Sequence, residues 1–337
     1  MATCIGKPLP RFEDRRILIG AGRYTADLDL PGHAHAVVVR SQDAHSAAAV
    51  GMSWHPARSQ ALCRLVLRAD PSGGGDAQVS LLELDEPQPV QVERAHSPSP
   101  FLFACDHAGR RVPRALGDLG LAAAHFERHI AYDVGIEPVA RRLAAAFDAP
   151  LVAQTYSRLV IDCNRPTHVP ASIPTVSEAT PIPGNEGLSQ AERDARIDAL
   201  FRPYHDTLEG ILEARKAEGV PTVVIAMHSF TPVYKGASRP WRLGLLYNRD
   251  ARLAGALLRI LNDDAAPYIG DKLPYAVDDE TDYTLPVHGE RRGLLHVGFE
   301  IRQDLISDRS GQSAWADWLE LLLRRLLLER LAPEFGG

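Results

Sequence analysis

The period of the apolar positions changes several times along the chain, and each change marks an element. Phe101-Leu-Phe-Ala-Cys105 is an unbroken apolar run, too short for a helix, and predicts a strand buried on both faces. From Val139 to Phe147, Ala and Leu recur at helical spacing and predict a helix. Leu151 to Gln154 and Arg158 to Asp162 read as a pair of strands. Ser189-Gln-Ala-Glu192 is a capping-box pattern, in which hydroxyl and carboxylate each satisfy an orphan amide, so a long helix should start there. Pro203 should kink or break it, because proline lacks the amide hydrogen and clashes with the preceding turn. Strands at Pro221 to Met227 and Leu243 to Tyr247, a helix from Asp250 to Leu261, a strand at Leu294 to Ile301 and a helix from Gln312 to Leu331 complete the series. Strands alternating with helices in this way predict an α/β fold with a mostly parallel sheet covered on both faces.

Residues that interrupt regular structure cluster at Asp70-Pro-Ser-Gly-Gly-Gly-Asp76, Glu86-Pro-Gln-Pro89 and Ser97-Pro-Ser-Pro100. They place a boundary between an appendage with its linker, residues 1–83, and a main domain, residues 84–337. Hydrophobic and charged fractions of 45% and 24% are those of a globular chain. No apolar run approaches the roughly 18 to 20 residues that span a bilayer, and the N-terminus has no apolar signal core, so a cytoplasmic protein without a membrane partner is expected. A net charge of −6 provides no basic stripe for phosphates, which argues against nucleic acid and for small-molecule chemistry. The four cysteines, at 4, 63, 105 and 163, form no CxxC pair, so neither a disulfide scaffold nor a cysteine-rich metal site is indicated. Cys105 and Cys163 read as small buried residues in strands.

Ligands of open α/β sheets bind at the carboxyl ends of strands, which singles out polar residues that follow buried runs. Asp106-His107-Ala-Gly109, Asp162-Cys-Asn164-Arg165 and His228-Ser-Phe-Thr-Pro232 meet that criterion, and Glu300 ends a further apolar run. These residue types suit metal-assisted amide hydrolysis: two imidazoles and a carboxylate hold a cation with one position left for water, and a separate carboxylate moves the proton. On this reading His107, His228 and Asp133 are metal ligands and Glu300 is the general base. Asn164 and Arg165, with Arg158 and Arg239, would hold an anionic substrate, since a guanidinium matches a carboxylate with two parallel hydrogen bonds. Each assignment has a structural alternative. Either histidine could be a hydrogen-bonded core residue, Arg165 could pair with Asp162 or another acid, Glu300 with Arg302 or Arg158, and Asp133 could cap a helix or orient a ligand histidine.

The blocks Ser99-Pro-Phe-Leu-Phe-Ala-Cys-Asp-His-Ala-Gly109, Tyr156-Ser-Arg-Leu-Val-Ile-Asp-Cys-Asn-Arg165, Arg202-Pro-Tyr-His205, His228-Ser-Phe-Thr-Pro232, Arg239-Pro-Trp241 and Glu300-Ile-Arg-Gln-Asp-Leu-Ile306 are together similar to the N-formylglutamate amidohydrolase family, over roughly 84 to 330. The resemblance implies a three-layer α/β/α fold akin to zinc carboxypeptidases and one divalent metal, with zinc expected. It also implies hydrolysis of N-formyl-L-glutamate to formate and glutamate, and makes residues 84–337 the catalytic domain. The Asn164-Arg165 pair resembles the one that grips the substrate carboxylate in that wider group. Carboxypeptidases place a glutamate three residues after the first ligand histidine, whereas this chain has Arg110, so the third ligand must come from elsewhere. Cys-Asp-His-Ala-Gly in place of Pro-His-Ser-Gly marks a divergent branch, in which the substrate can be another N-acyl amino acid.

Residues 5–46 instead resemble the opening of the large subunit of molybdenum hydroxylases, such as aldehyde and carbon monoxide dehydrogenases. The cofactor-binding remainder of that family is missing, so no molybdopterin and no hydroxylase activity are expected. Three readings follow: a metallo-amidohydrolase acting on a small anionic N-acyl amino acid, a non-catalytic anion-binding member of the same fold, and, least favoured, a redox protein. Oligomeric state is not legible in the sequence.

Overall fold

The computed structural model describes residues 81–264 and 268–331, together with the backbone at 50–51 and 66–67. Contacts divide the chain into Met1–Val79 and Ser80–Gly337. In the first unit Val50–Gly51 pairs antiparallel with Val66–Leu67. The molybdenum-hydroxylase-like stretch at 5–46 and the Asp70 to Asp76 linker lie outside the described residues.

The second unit is an α/β domain built on a seven-stranded mixed sheet. Its strands are β1 (Val90–Glu93), β2 (Phe101–Cys105), β3 (Leu151–Gln154), β4 (Val223–Phe230), β5 (Leu243–Leu246), β6 (Ile269–Asp271) and β7 (Leu295–Arg302). They lie in the order β6-β5-β7-β4-β2-β3-β1. The four inner strands β7, β4, β2 and β3 are parallel, while β5 and β1 run antiparallel to their inner neighbours. The main helices are α1 (Ile136–Ala146), α2 (Gln190–Arg196), α3 (Arg202–Ala217), α4 (Arg252–Asp263) and α5 (Arg309–Leu326). None of the described helices is long and apolar enough to cross a membrane.

Successive side chains of a strand point to opposite faces, and the two cores follow that alternation. Phe101, Phe103, Cys105, Ile225, Met227, Val297 and Phe299 pack with Val139 and Leu143 of α1, Leu257 of α4 and Leu319 of α5. Leu102, Ala104, Val224 and Ala226 pack on the other face with Tyr204, Leu208 and Leu212 of α3. Burial on both sides is why the inner strands read as continuous apolar runs. It also fixes where chemistry can be placed, because His228 continues the parity of Val224 and Ala226.

Several expectations are corrected. Residues 158–162 form turns, closed by Val160 N donating to Ser157 O (2.9 Å) and Asp162 N to Ser172 O (2.7 Å). Leu159, Val160 and Ile161 are nevertheless core residues, so burial alone produced the apolar run that resembled a strand. Cys163 is buried, but in one of these turns. β4 continues to Phe230, which puts His228 inside the strand. The edge strands β1 and β6 went unpredicted, since Val90-Gln-Val-Glu93 is half-exposed and Ile269-Gly-Asp271 is too short to show a period. The Ser189–Glu192 capping box is present, and the helix it starts is interrupted by a π turn, Ile197–Phe201, just before Pro203.

His205 of α3 is buried against His288, with Nδ1 of His205 3.0 Å from Nε2 of His288 and the rings stacked. His205 Nε2 lies 2.8 Å from the Cys163 carbonyl, which can only accept, so that nitrogen carries the proton. Burial pushes His205 down to about 4 and His288 down to about 3. Below the unfolded value of 6.5 the unfolded chain therefore binds protons that the folded pair rejects. Stability should be complete above pH 6.5 and decline towards pH 4, by up to roughly 1.4 kcal/mol per pH unit for each imidazole. Urea unfolding at pH 7.5 and pH 5 measures this; a His288→Phe variant should show a flatter pH dependence, and an equally steep one would rule the pair out as the cause.

Candidate active site

The site assembles at the carboxyl ends of β2, β4 and β7. His107 lies just past β2, where the chain turns at Gly109. A Cβ on Gly109 would come within 1.9 Å of the Thr155 carbonyl, so the turn after β2 can rest against the end of β3 only without a side chain. Asp133 sits before α1 and is tied to the first turn by donation from its amide to the His107 carbonyl (2.9 Å). His228 and Glu300 are direct partners in the parallel pairing of β4 with β7, so both project from the same face.

The Asp133 carboxylate is the hub. Its Oδ2 accepts from Ser229 N at 3.1 Å, lies 3.1 Å from His228 Nδ1 and 3.5 Å from His107 Nδ1, while Oδ1 accepts from Arg158 Nη1 at 3.3 Å. Outer carboxylates face the far nitrogens of both rings: Asp162 Oδ1 is 2.7 Å from His107 Nε2, and Asp106 Oδ2 is 3.5 Å from His228 Nε2. Arg158 Nη2 donates to Asp162 Oδ2 at 2.7 Å, and Thr284 Oγ1 donates to Asp106 Oδ1 at 2.9 Å. His107, Asp133 and His228 can each turn one ligand atom to a common point, these atoms lying within 4.8 Å of one another. His107 Nδ1 is buried without a hydrogen-bond partner while Asp162 holds the opposite nitrogen, the arrangement in which an outer carboxylate orients a ligand histidine. The donor set of two imidazoles and one carboxylate therefore fits a divalent cation.

Electrostatics agree with that fit. Burial opposes charge on His228, yet hydrogen bonding and attraction to Asp133 raise it to about 9. His107 is raised too: burial and Arg158 oppose its charge, but Asp162 and Asp133 outweigh them. Asp133 stays well below the usual carboxylate range, because the two imidazoles overcome its burial. These carboxylates hold positive charge at this point, supplied by ring protons that a cation would displace. Glu300 differs. It is 7% exposed, its Oε2 has no hydrogen-bond partner, and neither Arg302 nor Arg158 forms an ion pair with it among the described residues. Burial pushes it up to about 7, with His228 pulling down and Asp133 pushing up.

A cavity of about 640 Å³ opens over this centre and is lined by His107, Asp133, His228 and Glu300 together with Arg158, Asn164 and Arg165. Asn164 Oδ1 accepts from the amides of Tyr283 (3.2 Å) and Thr284 (3.0 Å), and its Nδ2 donates to Asp282 (3.3 Å). Arg165 donates to the Thr281 carbonyl and lies 3.7 Å from Asp282 Oδ1, so Asp282 and not Asp162 is its acidic neighbour. Arg239 is not among the lining residues. Its guanidinium packs on the rings of Tyr234 (4.5 Å) and Tyr275 (4.7 Å), which do line the cavity, and donates to Tyr275 Oη at 2.7 Å. It is 9% exposed and pairs with no carboxylate among the described residues. Arg110 points elsewhere, to Glu127 and the Tyr132 ring.

A model of the N-formylglutamate amidohydrolase family matches residues 99–307. This chain belongs to the N-formylglutamate amidohydrolase family. Among solved structures, a gene product from Agrobacterium tumefaciens is 41% identical with a TM-score of 0.71, over 73% of this chain and 98% of that one. An N-formylglutamate amidohydrolase from Ralstonia eutropha is 18% identical with a TM-score of 0.49, over 71% and 96%. The large subunit of nicotine 6-hydroxylase from Paenarthrobacter nicotinovorans is 50% identical over 42 residues, 12% of this chain, which spans only 5% of that relative. Within this domain, sequence reasoning singled out the segments that hold Asp106 and Asp162 but gave Asp106 no role and Asp162 only that of a possible partner for Arg165, and it passed over Thr284 and Tyr275. The signal for Asp106 was its adjacency to His107, and for Asp162 its position four residues after Arg158.

Removing the hub should be costly, because Asp133→Ala takes away the one carboxylate that Arg158 and the two imidazoles share, leaving Arg158 and His107 both to Asp162 and His228 only to the more distant Asp106. Urea denaturation of the metal-free variant should show a loss of about 3 kcal/mol. A loss below about 1 kcal/mol would mean that the carboxylate does not organise the folded site.

Proposed function

We propose that this family member is a metal-dependent amidohydrolase that cleaves N-formyl-L-glutamate or a related N-acyl amino acid. The observation that carries the reading is the convergence of His107, Asp133 and His228 within 4.8 Å beside a buried, unpaired Glu300, at the floor of one cavity. His107, Asp133 and His228 would hold one divalent cation, zinc being expected from two imidazoles and a carboxylate. When bound, the cation would lower the pKa of water so that hydroxide is available near neutral pH.

The chain's own groups account for the rest. Glu300, buried and with no hydrogen-bond partner at Oε2, can take a proton from water and return it to the leaving amine nitrogen. Asp162 and Asp106 hold the far sides of the two imidazoles. Arg239 carries a charge that no carboxylate among the described residues balances and reaches the cavity through the Tyr275 phenol, so a single substrate carboxylate would complete it. Asn164, Arg165 and Arg158 frame the adjoining wall. Residues 84–337 form the catalytic domain in this reading and 1–83 an appendage, with no molybdopterin, no nucleic acid and a cytoplasmic location. The non-catalytic alternative is less favoured because an anion-binding protein has no use for an unpaired buried Glu300.

Formate release from N-formyl amino acids, with and without chelator, tests the activity. Glu300→Gln should keep metal and substrate binding and lose roughly 10²- to 10⁴-fold in kcat. His107→Ala and His228→Ala should each release the metal, measured by elemental analysis, and full occupancy in either would remove that residue from the ligand set.

A further inference from the structure

Resting on the hydrolase reading, we infer that the preferred substrate carries one carboxylate and an uncharged apolar or aromatic side chain, rather than the two carboxylates of N-formylglutamate. The charge pattern of the cavity is the first reason. Of the acids that line it, Asp133 and Asp162 pair with Arg158 and the imidazoles, Glu178 with Arg128 and His129, and Asp282 stands beside Arg165, so both lining guanidinium groups, Arg158 and Arg165, are already engaged. Arg239 is the one uncompensated guanidinium adjoining the cavity among the described residues, and it can serve one carboxylate. A second carboxylate would find no unpaired guanidinium among the described lining residues, and would give up its hydration without gaining a counter-ion.

The apolar part of the lining, beside the Arg239 guanidinium, is the second reason. Val176, Phe230, Tyr234, Tyr275 and Val277 form an apolar wall. Val176 and Tyr275 remain 54% and 42% exposed. Val176 and Tyr234 sit on short hairpins, 176–181 and 233–238, that project over the cavity. At about 640 Å³ the space is in the range that holds drug-sized ligands, so a bulky side chain has room beside the scissile amide.

The test is a panel of N-formyl-L-phenylalanine, N-formyl-L-leucine and N-formyl-L-glutamate given to the zinc-supplemented full chain. kcat/KM for the apolar substrates should exceed that for the glutamate substrate by at least about tenfold. Asp282→Asn, which frees Arg165, should narrow the gap, and Tyr234→Ala should lower kcat/KM for the phenylalanine substrate more than for the glutamate one. Preference for the glutamate substrate would overturn the inference while leaving the hydrolase reading intact. Calorimetric titration of the same compounds into zinc-loaded Glu300→Gln separates the two ideas, because it reads preference without turnover. Tighter binding of the phenylalanine compound supports the inference even if no member of the panel is cleaved, an outcome that would defeat only the hydrolase reading. Tighter binding of the glutamate compound, or no binding of either, overturns it.

Discussion

One buried carboxylate organises this domain's working end. Asp133 draws together a ring from the turn after β2, a ring and an amide from β4, and a guanidinium from the turns after β3. No two of these groups are neighbours in sequence except His228 and Ser229, and without an anion between them three would bring like charge into a space closed to water. The carboxylate turns that conflict into attraction, and a site built to gather positive charge is also one suited to a cation. Asp162 and Asp106 extend the same logic outward by fixing which nitrogen of each ring faces inward.

Glu300 is the counterpoint. It lies on the same sheet face as His228, one strand away, yet receives no hydrogen bond at Oε2 and no ion pair. A folded chain ordinarily pairs such a group or replaces it. In the proposed reading, that unpaired state beside the organised cluster is what distinguishes a working site from a purely structural ion network.

The architecture was largely legible because the inner strands are buried on both faces and leave an unbroken apolar signature, as in Phe101–Cys105. The same signature misled at 158–162, where Leu159, Val160 and Ile161 are buried from within turns, since apolar character records burial and not backbone conformation. Individual ligand candidates were visible as polar residues after buried runs. Their partners were less so: nothing local to Asp162 says that it meets His107 from 55 positions away, or that Asp282 rather than Asp162 faces Arg165. Arg239 was visible as a cation, but its seat between Tyr234 and Tyr275 depends on a hairpin and a loop whose meeting no periodicity encodes.

The segment that leads to Tyr275 rests on bare backbone. Gly244 of β5 and Gly270 of β6 are paired in register, and a Cβ on either would strike the Leu273 carbonyl, at 2.1 Å and 2.5 Å. Tyr275 is thus carried by the outer strands, whereas Phe230 belongs to β4, Tyr234 to the hairpin that follows it, and the charged centre to β2, β4, β7 and the turns after them. In the proposed reading the Tyr275 side of the wall and the reacting centre therefore have separate foundations. Descendants of this scaffold can exchange the outer loop and acquire new substrates while the inner machinery stays as it is.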